Sequence, residues 1–453
     1  MNSDVDSIQF LKDLEVRDLD TLDLASLAHS LHQGVHLASL PFRIAMFGPW
    51  GSGKTTIMRR VQDLLDQATE SGQKTQFGPA QVPIESESES ELPYIRTLWF
   101  NPWERESGPS LVQSLVTVMG NMIPEGVRYS RKGNRVVKQA LDTVRGITPR
   151  NDADGDELRS TLALEGELSE ADRVYTLRHS FMRLLDLILS PARRGQSRRL
   201  VIFVDDLDKC APHSALAFLE SCKLFFSDQA RVVFVFALDH TVLSSAISVK
   251  YTQGAGFNAN RYIQKIFEFS YTVHPIQWQQ LGRLVADLYE RSRLGTRLNA
   301  EDRAEELAII EHVLQRPGIV LNPRKVKRIF NKFIWFLTAR DWLPKANVYP
   351  LQLWLSWLLI SEYWSDFRAL VGVFGTEVLG ELCNRVTGNL LFPHSNELVR
   401  QSLETLPRYK SLLDYGRDLF DIGDMHAAET QTRLREMIVE LVDIDRQLMS
   451  HGL

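Results

Sequence analysis

The sequence predicts an α/β fold: a parallel sheet with helices on both faces, followed by a helical C-terminal region. Three observations predict it. Short apolar runs at residues 44–47, 94–100, 200–204 and 231–238 alternate with segments of helical apolar spacing. One of these runs, RVVFVFAL, is so apolar that both of its faces need cover, as in a parallel sheet. Beyond Pro275 the apolar period is helical to the end of the chain.

Length and composition bound the rest. At 453 residues, a prior of roughly 150 residues per domain allows about three domains, or two with insertions. Lys+Arg is 52 and Asp+Glu is 57, a net charge of −5, which argues against a protein that coats nucleic acid with its whole surface. Three scattered cysteines, Cys210, Cys222 and Cys383, exclude a disulfide framework or a Cys-rich zinc site and suit a reducing, cytoplasmic setting. The first residues lack a basic stretch followed by an apolar run, so no signal peptide is expected. The longest apolar run, LQLWLSWLLI at residues 351–360, is about half of what a membrane span needs and reads as a buried helix.

Along the chain, an amphipathic helix is expected over residues 22–40. The run Ile44-Ala45-Met46-Phe47 reads as a buried strand that ends at glycine, and residues 55–67 read as the helix after it. Residues 78–92, with their Ser-Glu repeat, read as a surface loop. A strand at 94–100 and a helix at 109–122 follow. Two charge blocks then lie side by side. Between Arg128 and Arg150 there are seven Lys/Arg and one acid, and between Asp152 and Asp172 eight Asp/Glu and one base. They read either as a solvated insertion or as a basic docking surface for nucleic acid or an acidic partner, shielded by the acidic half. A capping box at residues 169–172 opens the next helix. Five tryptophans, Trp335, Trp342, Trp354, Trp357 and Trp364, read as a helical core or interface.

The strongest chemical signal is Gly48-Pro49-Trp50-Gly51-Ser52-Gly53-Lys54-Thr55, which fits G-x-x-x-x-G-K-[ST] between a strand and a helix. Glycines let backbone N–H groups turn around phosphate oxygens, and the helix N-terminus that follows, with Thr56, faces the same anion. Lys54 reaches the β- and γ-phosphates of ATP, and the Thr55 hydroxyl can ligate Mg2+. The strand at 200–204 ends in Asp205-Asp206-Leu207-Asp208, a Walker B arrangement. Asp205 is expected to hold Mg2+ and Asp206 to orient or deprotonate the attacking water. Asp208 is either part of this site, or a helix cap or surface acid. Asp239, after the fourth strand, either senses the γ-phosphate or caps the next helix.

Together, Pro49-Trp50, the Phe100-Asn101-Pro102-Trp103 segment, Asp205-Asp206-Leu207-Asp208 and Phe236-Ala237-Leu238-Asp239 resemble the KAP family of P-loop NTPases. Arg261-Tyr262-Ile263-Gln264-Lys265-Ile266 and Asn322-Pro323-Arg324-Lys325-Val326-Lys327-Arg328 are similar to two further boxes of that family. The resemblance spans about residues 22–333. It implies an ASCE-type P-loop core, a three-layer α/β/α sandwich with a charged helical insertion, and an α-helical C-terminal lid. Many members carry membrane helices between the two Walker motifs; here that interval is charged, so a soluble branch is implied. Lys209 stands where the family usually has Arg, and Gln264 where it usually has an acid. Arg324 reads as a lid arginine acting on the phosphates, or as a basic helix start.

The expected division is a core at 1–275, with its insertion at about 78–172, and a helical region at 276–453. The expected function is an ATP-hydrolysing switch or assembly ATPase. It is expected to form a homo-oligomer and to work with a separate effector in bacterial anti-phage defence. Two other readings stand beside it: a nucleic-acid-stimulated motor using the segment between Arg128 and Arg150, and a non-hydrolysing nucleotide-bound scaffold.

Overall fold

The computed structural model describes residues 10–11, 24–71, 93–108, 110–147, 170–190, 197–225, 230–251, 258–275, 277–319, 322–339, 348–393, 395–421 and 427–450. The Ser-Glu repeat, most of the acidic block, Ser169 of the capping box and Trp342 lie outside them. The chain divides into two compact units, one spanning Leu24–His274 and the other made of Met1–Asp23 and Pro275–Leu453.

The first unit opens with α1 (Leu24–Leu37), β1 (Phe42–Phe47) and α2 (Lys54–Ser71). Then come β2 (Tyr94–Phe100), α3 (Leu111–Asn121), α4 (Glu125–Arg128), α5 (Arg131–Ile147) and α6 (Glu170–Ile188). It closes with β3 (Arg198–Val204), α7 (Pro212–Phe225), β4 (Val232–Leu238), α8 (His240–Tyr251), α9 (Ala259–Ile266) and β5 (Phe269–Thr272). The five strands form one parallel sheet in the order β2-β3-β4-β1-β5. Every residue of β4 is buried, as its continuous apolar run requires of a central strand covered on both faces. β5 was not legible in advance: it has only four residues, mostly exposed, on the sheet edge beside β1.

This order separates β1 from β3 by one strand, so their axes lie roughly 10 Å apart. All five strands are parallel, so their C-terminal ends share one edge, the place where α/β sheets bind ligands. Register does the rest. Phe47 pairs with Leu238, which sets the loop after β1 beside Asp239. Phe100 pairs with Val204, which sets Asn101 beside Asp205.

In the charged insertion, α5 turns Val136 and Ala140 inward and exposes Arg131, Arg135 and Lys138 on its outer face. Tyr129, just before it, is 72% exposed, with the Arg128 guanidinium 5.8 Å from its ring centroid.

The second unit is helical: α10 (Trp278–Arg291), α11 (Ala300–Leu314), α12 (Pro323–Ala339), α13 (Leu351–Tyr363), α14 (Ser365–Phe374), α15 (Thr376–Thr387), α16 (Glu397–Glu404), α17 (Tyr409–Leu419) and α18 (Ala427–Ser450). Leu11 belongs here rather than with the core: its N–H donates to Asn331 Oδ1 at 2.8 Å, and Asn331 Nδ2 donates to its carbonyl at 3.0 Å. α13 is the buried helix expected of the 351–360 run, and no described helix is long and apolar enough to cross a membrane. Trp354, Trp357 and Trp364 are buried within this unit, with the Trp357 indole N–H donating to Asp445 at 3.1 Å. They form the unit's own core and do not offer the apolar surface between protomers that their number suggests.

Candidate functional site

The loop between β1 and α2 is wound around its own backbone. Gly51 and Gly53 have φ of 82° and 95°, values that side-chain-bearing residues rarely adopt. A Cβ on Gly48 would lie 2.7 Å from Ser52 Oγ, so the tight turn needs glycine there too. Gly48 N–H donates to Leu238 O at 3.2 Å, tying the loop to the end of β4. Lys54 is buried and its ammonium donates to the carbonyls of Gly48 at 2.7 Å and Pro49 at 3.1 Å. The Ser52 hydroxyl is buried with no hydrogen-bond partner. An orphaned hydroxyl in a loop of turned-in amides, at the start of an 18-residue helix, fits a phosphate oxyanion.

Thr55, in the first turn of α2, reaches across to the end of β3. Its hydroxyl donates to Asp205 Oδ1 at 3.2 Å, and the same oxygen accepts the Asp206 N–H at 3.1 Å. A hydroxyl and a carboxylate so placed are hard oxygen donors of the kind Mg2+ takes. Asp205 is 6% exposed. Burial, and then the neighbouring Asp206 charge, push its carboxyl up to about 6, against the pull of the Thr55 and Asp206 hydrogen bonds. A cation beside it would reverse that cost.

A pH dependence follows. Asp205 titrates higher in the folded chain than in the unfolded one, so the folded state binds more protons between about pH 4 and pH 6. Ligand-free stability attributable to this group therefore rises as pH falls through 6, whereas Mg2+-dependent nucleotide binding weakens, because the carboxyl must lose its proton to hold the ion. Titrations at pH 5, 6 and 7.5 should show the two trends moving in opposite directions, and Asp205→Asn should flatten both.

Asp206 adopts a left-handed backbone, φ 60° and ψ 21°, which turns the chain out of the line of β3. Its carboxylate is gripped from two sides. Asn101 Nδ2 donates to Oδ2 at 3.3 Å, and Lys209 Nζ pairs with Oδ1 at 2.8 Å. Asn101 Oδ1 in turn accepts the N–H of Trp103 at 3.1 Å, and Lys209 lies 5.0 Å from the Trp103 ring centroid. Asn101 and Lys209, which the sequence offered only through the family resemblance, are thus parts of the site. The β2–β3 register places Asn101, and the turn after β3 places Lys209 three residues on from Asp206.

Asp208 is not a helix cap. Its Oδ2 accepts the Trp50 indole N–H at 3.0 Å and the Asp239 backbone N–H at 2.9 Å, joining the loop to the tip of β4. Asp239 itself takes the capping geometry: its Oδ1 accepts from Thr241 N–H at 2.9 Å and from the Thr241 hydroxyl at 2.6 Å, at the start of α8. The structure therefore gathers Lys54, Thr55, Asp205, Asp206, Asp208 and Asp239 at one sheet edge. Arg324 is carried by the other unit, in the first turn of α12. Among the described residues no group of three or more His, Cys, Asp or Glu is placed to hold a metal ion alone. A cation here would rest on Thr55, Asp205 and its ligand's oxygens.

Among solved structures, the chain is similar to the ORC2 protein of Aeropyrum pernix in its ADPNP–ADP complexes (12% identity, 99% of this chain and 98% of that one, TM-score 0.33). It is also similar to Cdc6p from Pyrobaculum aerophilum (14% identity, 94% and 92%, TM-score 0.36). No curated protein matches it. A family model for the KAP family P-loop domain matches residues 25–338, most of the chain and all but the first residue of the unit that carries the loop. The loop at 48–55, the acidic end of β3 and the parallel sheet that joins them are the parts such a domain requires, and this chain belongs to the KAP family of P-loop NTPases.

Proposed function

We propose that this protein is an ATPase that uses the loop at 48–55 to hold ATP with Mg2+, and hydrolyses it to drive a switch or an assembly step. The observation that carries the reading is the Thr55–Asp205 hydrogen bond across the sheet edge, with Asp206 beside it. When bound, Mg2+ supplies charge neutralisation at the phosphates. The chain's own residues do the rest. The loop amides and the Ser52 hydroxyl bind phosphate oxygens, and the Lys54 ammonium turns from the Gly48 and Pro49 carbonyls to the β- and γ-phosphates. Thr55 and Asp205 hold the ion. Asp206, fixed by Asn101 and Lys209, accepts a proton from the attacking water. Intact carboxylates at 205 and 206 favour this over a non-hydrolysing scaffold. The test is phosphate release from ATP by the purified protein, with and without Mg2+: turnover that stops on chelation supports the reading, and no turnover with Mg2+ refutes it.

Work in a homo-oligomer, with a separate effector and in anti-phage defence, belongs to the same proposal and rests on the family resemblance. Arg261, Arg324 and Arg328 are the arginines proposed to act on phosphate charge, within one chain or from a neighbour; such a finger is worth ~10³–10⁵ in rate. Mixing Arg324→Ala with Lys54→Ala protein, each inactive alone, should restore part of the activity if the arginine acts between chains. No recovery at any mixing ratio would place it in its own chain.

A second reading is favoured by the exposed cations Arg131, Arg135 and Lys138 beside Tyr129, a face suited to nucleic-acid phosphates and bases. It requires turnover stimulated by DNA or RNA and strongly reduced by salt.

A further inference from the structure

In the helical unit, four cations crowd one small region. Lys325 Nζ lies 4.1 Å from the centroid of the Tyr363 ring, and the Arg408 guanidinium carbon lies 5.7 Å from the same ring. Arg328 and Lys332 both pair with Glu362, the residue before that tyrosine, at 3.1 and 2.8 Å, one on each carboxylate oxygen. The Glu362 side chain is only 8% exposed, and its two oxygens are taken. Among the described residues, neither Lys325 nor Arg408 has a carboxylate within ion-pair distance.

This is a costly arrangement for a protein with more acids than bases. Like charges held together destabilise a fold unless something offsets them. Lys325 shows the strain: burial first, and then the Arg408 charge, pull its ammonium below the usual lysine range, with Glu362 only partly opposing them. Arg408 is also held in a left-handed backbone, φ 62° and ψ 28°, a conformation that favours glycine or asparagine. Its carbonyl accepts from Ser411 Oγ at 2.8 Å and Leu412 N at 3.1 Å, so the turn that presents its side chain is fixed.

We infer that Lys325 and Arg408, both held at the Tyr363 ring, form with the nearby Arg328 a binding site for a phosphate-class oxyanion. The chemistry fits that ligand. An ammonium supplies a point charge and a guanidinium a planar fork, and the two together suit a compact group with several charged oxygens. One multiply charged anion offsets the two unpaired cations at once, which a single carboxylate does not. The site uses no residue of the loop at 48–55 and shares only Arg328 with the arginines named above; because it is tested with the P-loop disabled and on Lys325 and Arg408 alone, it can fail or stand apart from the ATPase reading.

The test is calorimetry on the full chain with the P-loop disabled. Inorganic phosphate is titrated into Lys54→Ala protein, and into the same protein carrying Lys325→Gln and Arg408→Gln, with sodium chloride at matched ionic strength as the blank. A second arm repeats both titrations with ATP, to tell free phosphate from a phosphoester as the source. Saturable binding of either ligand that weakens at least tenfold in the triple variant supports the site. No binding of either, or equal binding by both proteins, overturns it. Thermal unfolding without ligand separates a binding role from a packing role. Lys325→Gln should leave the melting temperature unchanged or raise it, because it relieves repulsion. A fall of several degrees would mean that Lys325 serves only to pack on Tyr363, and would overturn the inference as well.

Discussion

Lys54→Ala is expected to abolish ATP turnover and to weaken nucleotide binding by at least about 10–100-fold, the range for losing one charge-assisted hydrogen bond. Two effects add in the same direction. The ammonium is the loop's own cation for the β- and γ-phosphates. It also ties the loop together through the Gly48 and Pro49 carbonyls, so alanine loosens the cradle as well as discharging it. Fluorescent-nucleotide titration and phosphate release read the two losses separately. Wild-type affinity with wild-type turnover in this variant would remove the P-loop from the account altogether.

Asp206→Asn should behave differently: ATP stays bound, and hydrolysis falls by about 10²–10⁴, the usual contribution of a positioned general base. Asparagine keeps the size and can still meet Lys209 through its amide oxygen, but it does not accept a proton from water. The separation of binding from chemistry is the diagnostic result. Turnover at the wild-type rate would move the base elsewhere, with little room for Asp208, whose Oδ2 is already engaged by Trp50 and the Asp239 N–H. Lys209→Ala is a useful companion, because it frees Asp206 Oδ1 without removing the carboxylate.

Most of the core was legible because its signals are local. A G-x-x-x-x-G-K-T loop and an apolar run ending in two aspartates carry their meaning within eight residues. β1 to β4 were expected at nearly their observed bounds: β1, β3 and β4 are central parallel strands marked by apolar runs, and the edge strand β2 is marked by its own run of apolar and β-favouring residues. β5 carries no such mark, being an edge strand of four residues. The partners of the carboxylates were not legible either. Whether Asn101 meets Asp206 depends on the pairing of Phe100 with Val204, across more than 100 residues of chain. The same holds for Asp208, which composition allowed as a cap and tertiary structure uses as a bridge between Trp50 and the tip of β4. Asp239 was open to two readings, phosphate sensor or helix cap, and its side chain takes the capping geometry through Thr241. The tryptophans from Trp335 to Trp364 were open to two readings because aromatic residues build cores and interfaces alike, and burial decides for the core at Trp354, Trp357 and Trp364.

The proposed function turns on whether the nucleotide held at 48–55 is cleaved or merely stored. The most direct measurement is the fate of bound ATP. Protein loaded with ATP labelled in the adenine ring and in the γ-phosphate is freed of excess nucleotide, given Mg2+, and sampled over time. The expected result is conversion of the bound label to ADP with loss of the γ-label, and retention of intact ATP in Asp206→Asn. Wild-type protein that still holds intact ATP after hours with Mg2+ would contradict it and leave a nucleotide-bound scaffold in its place.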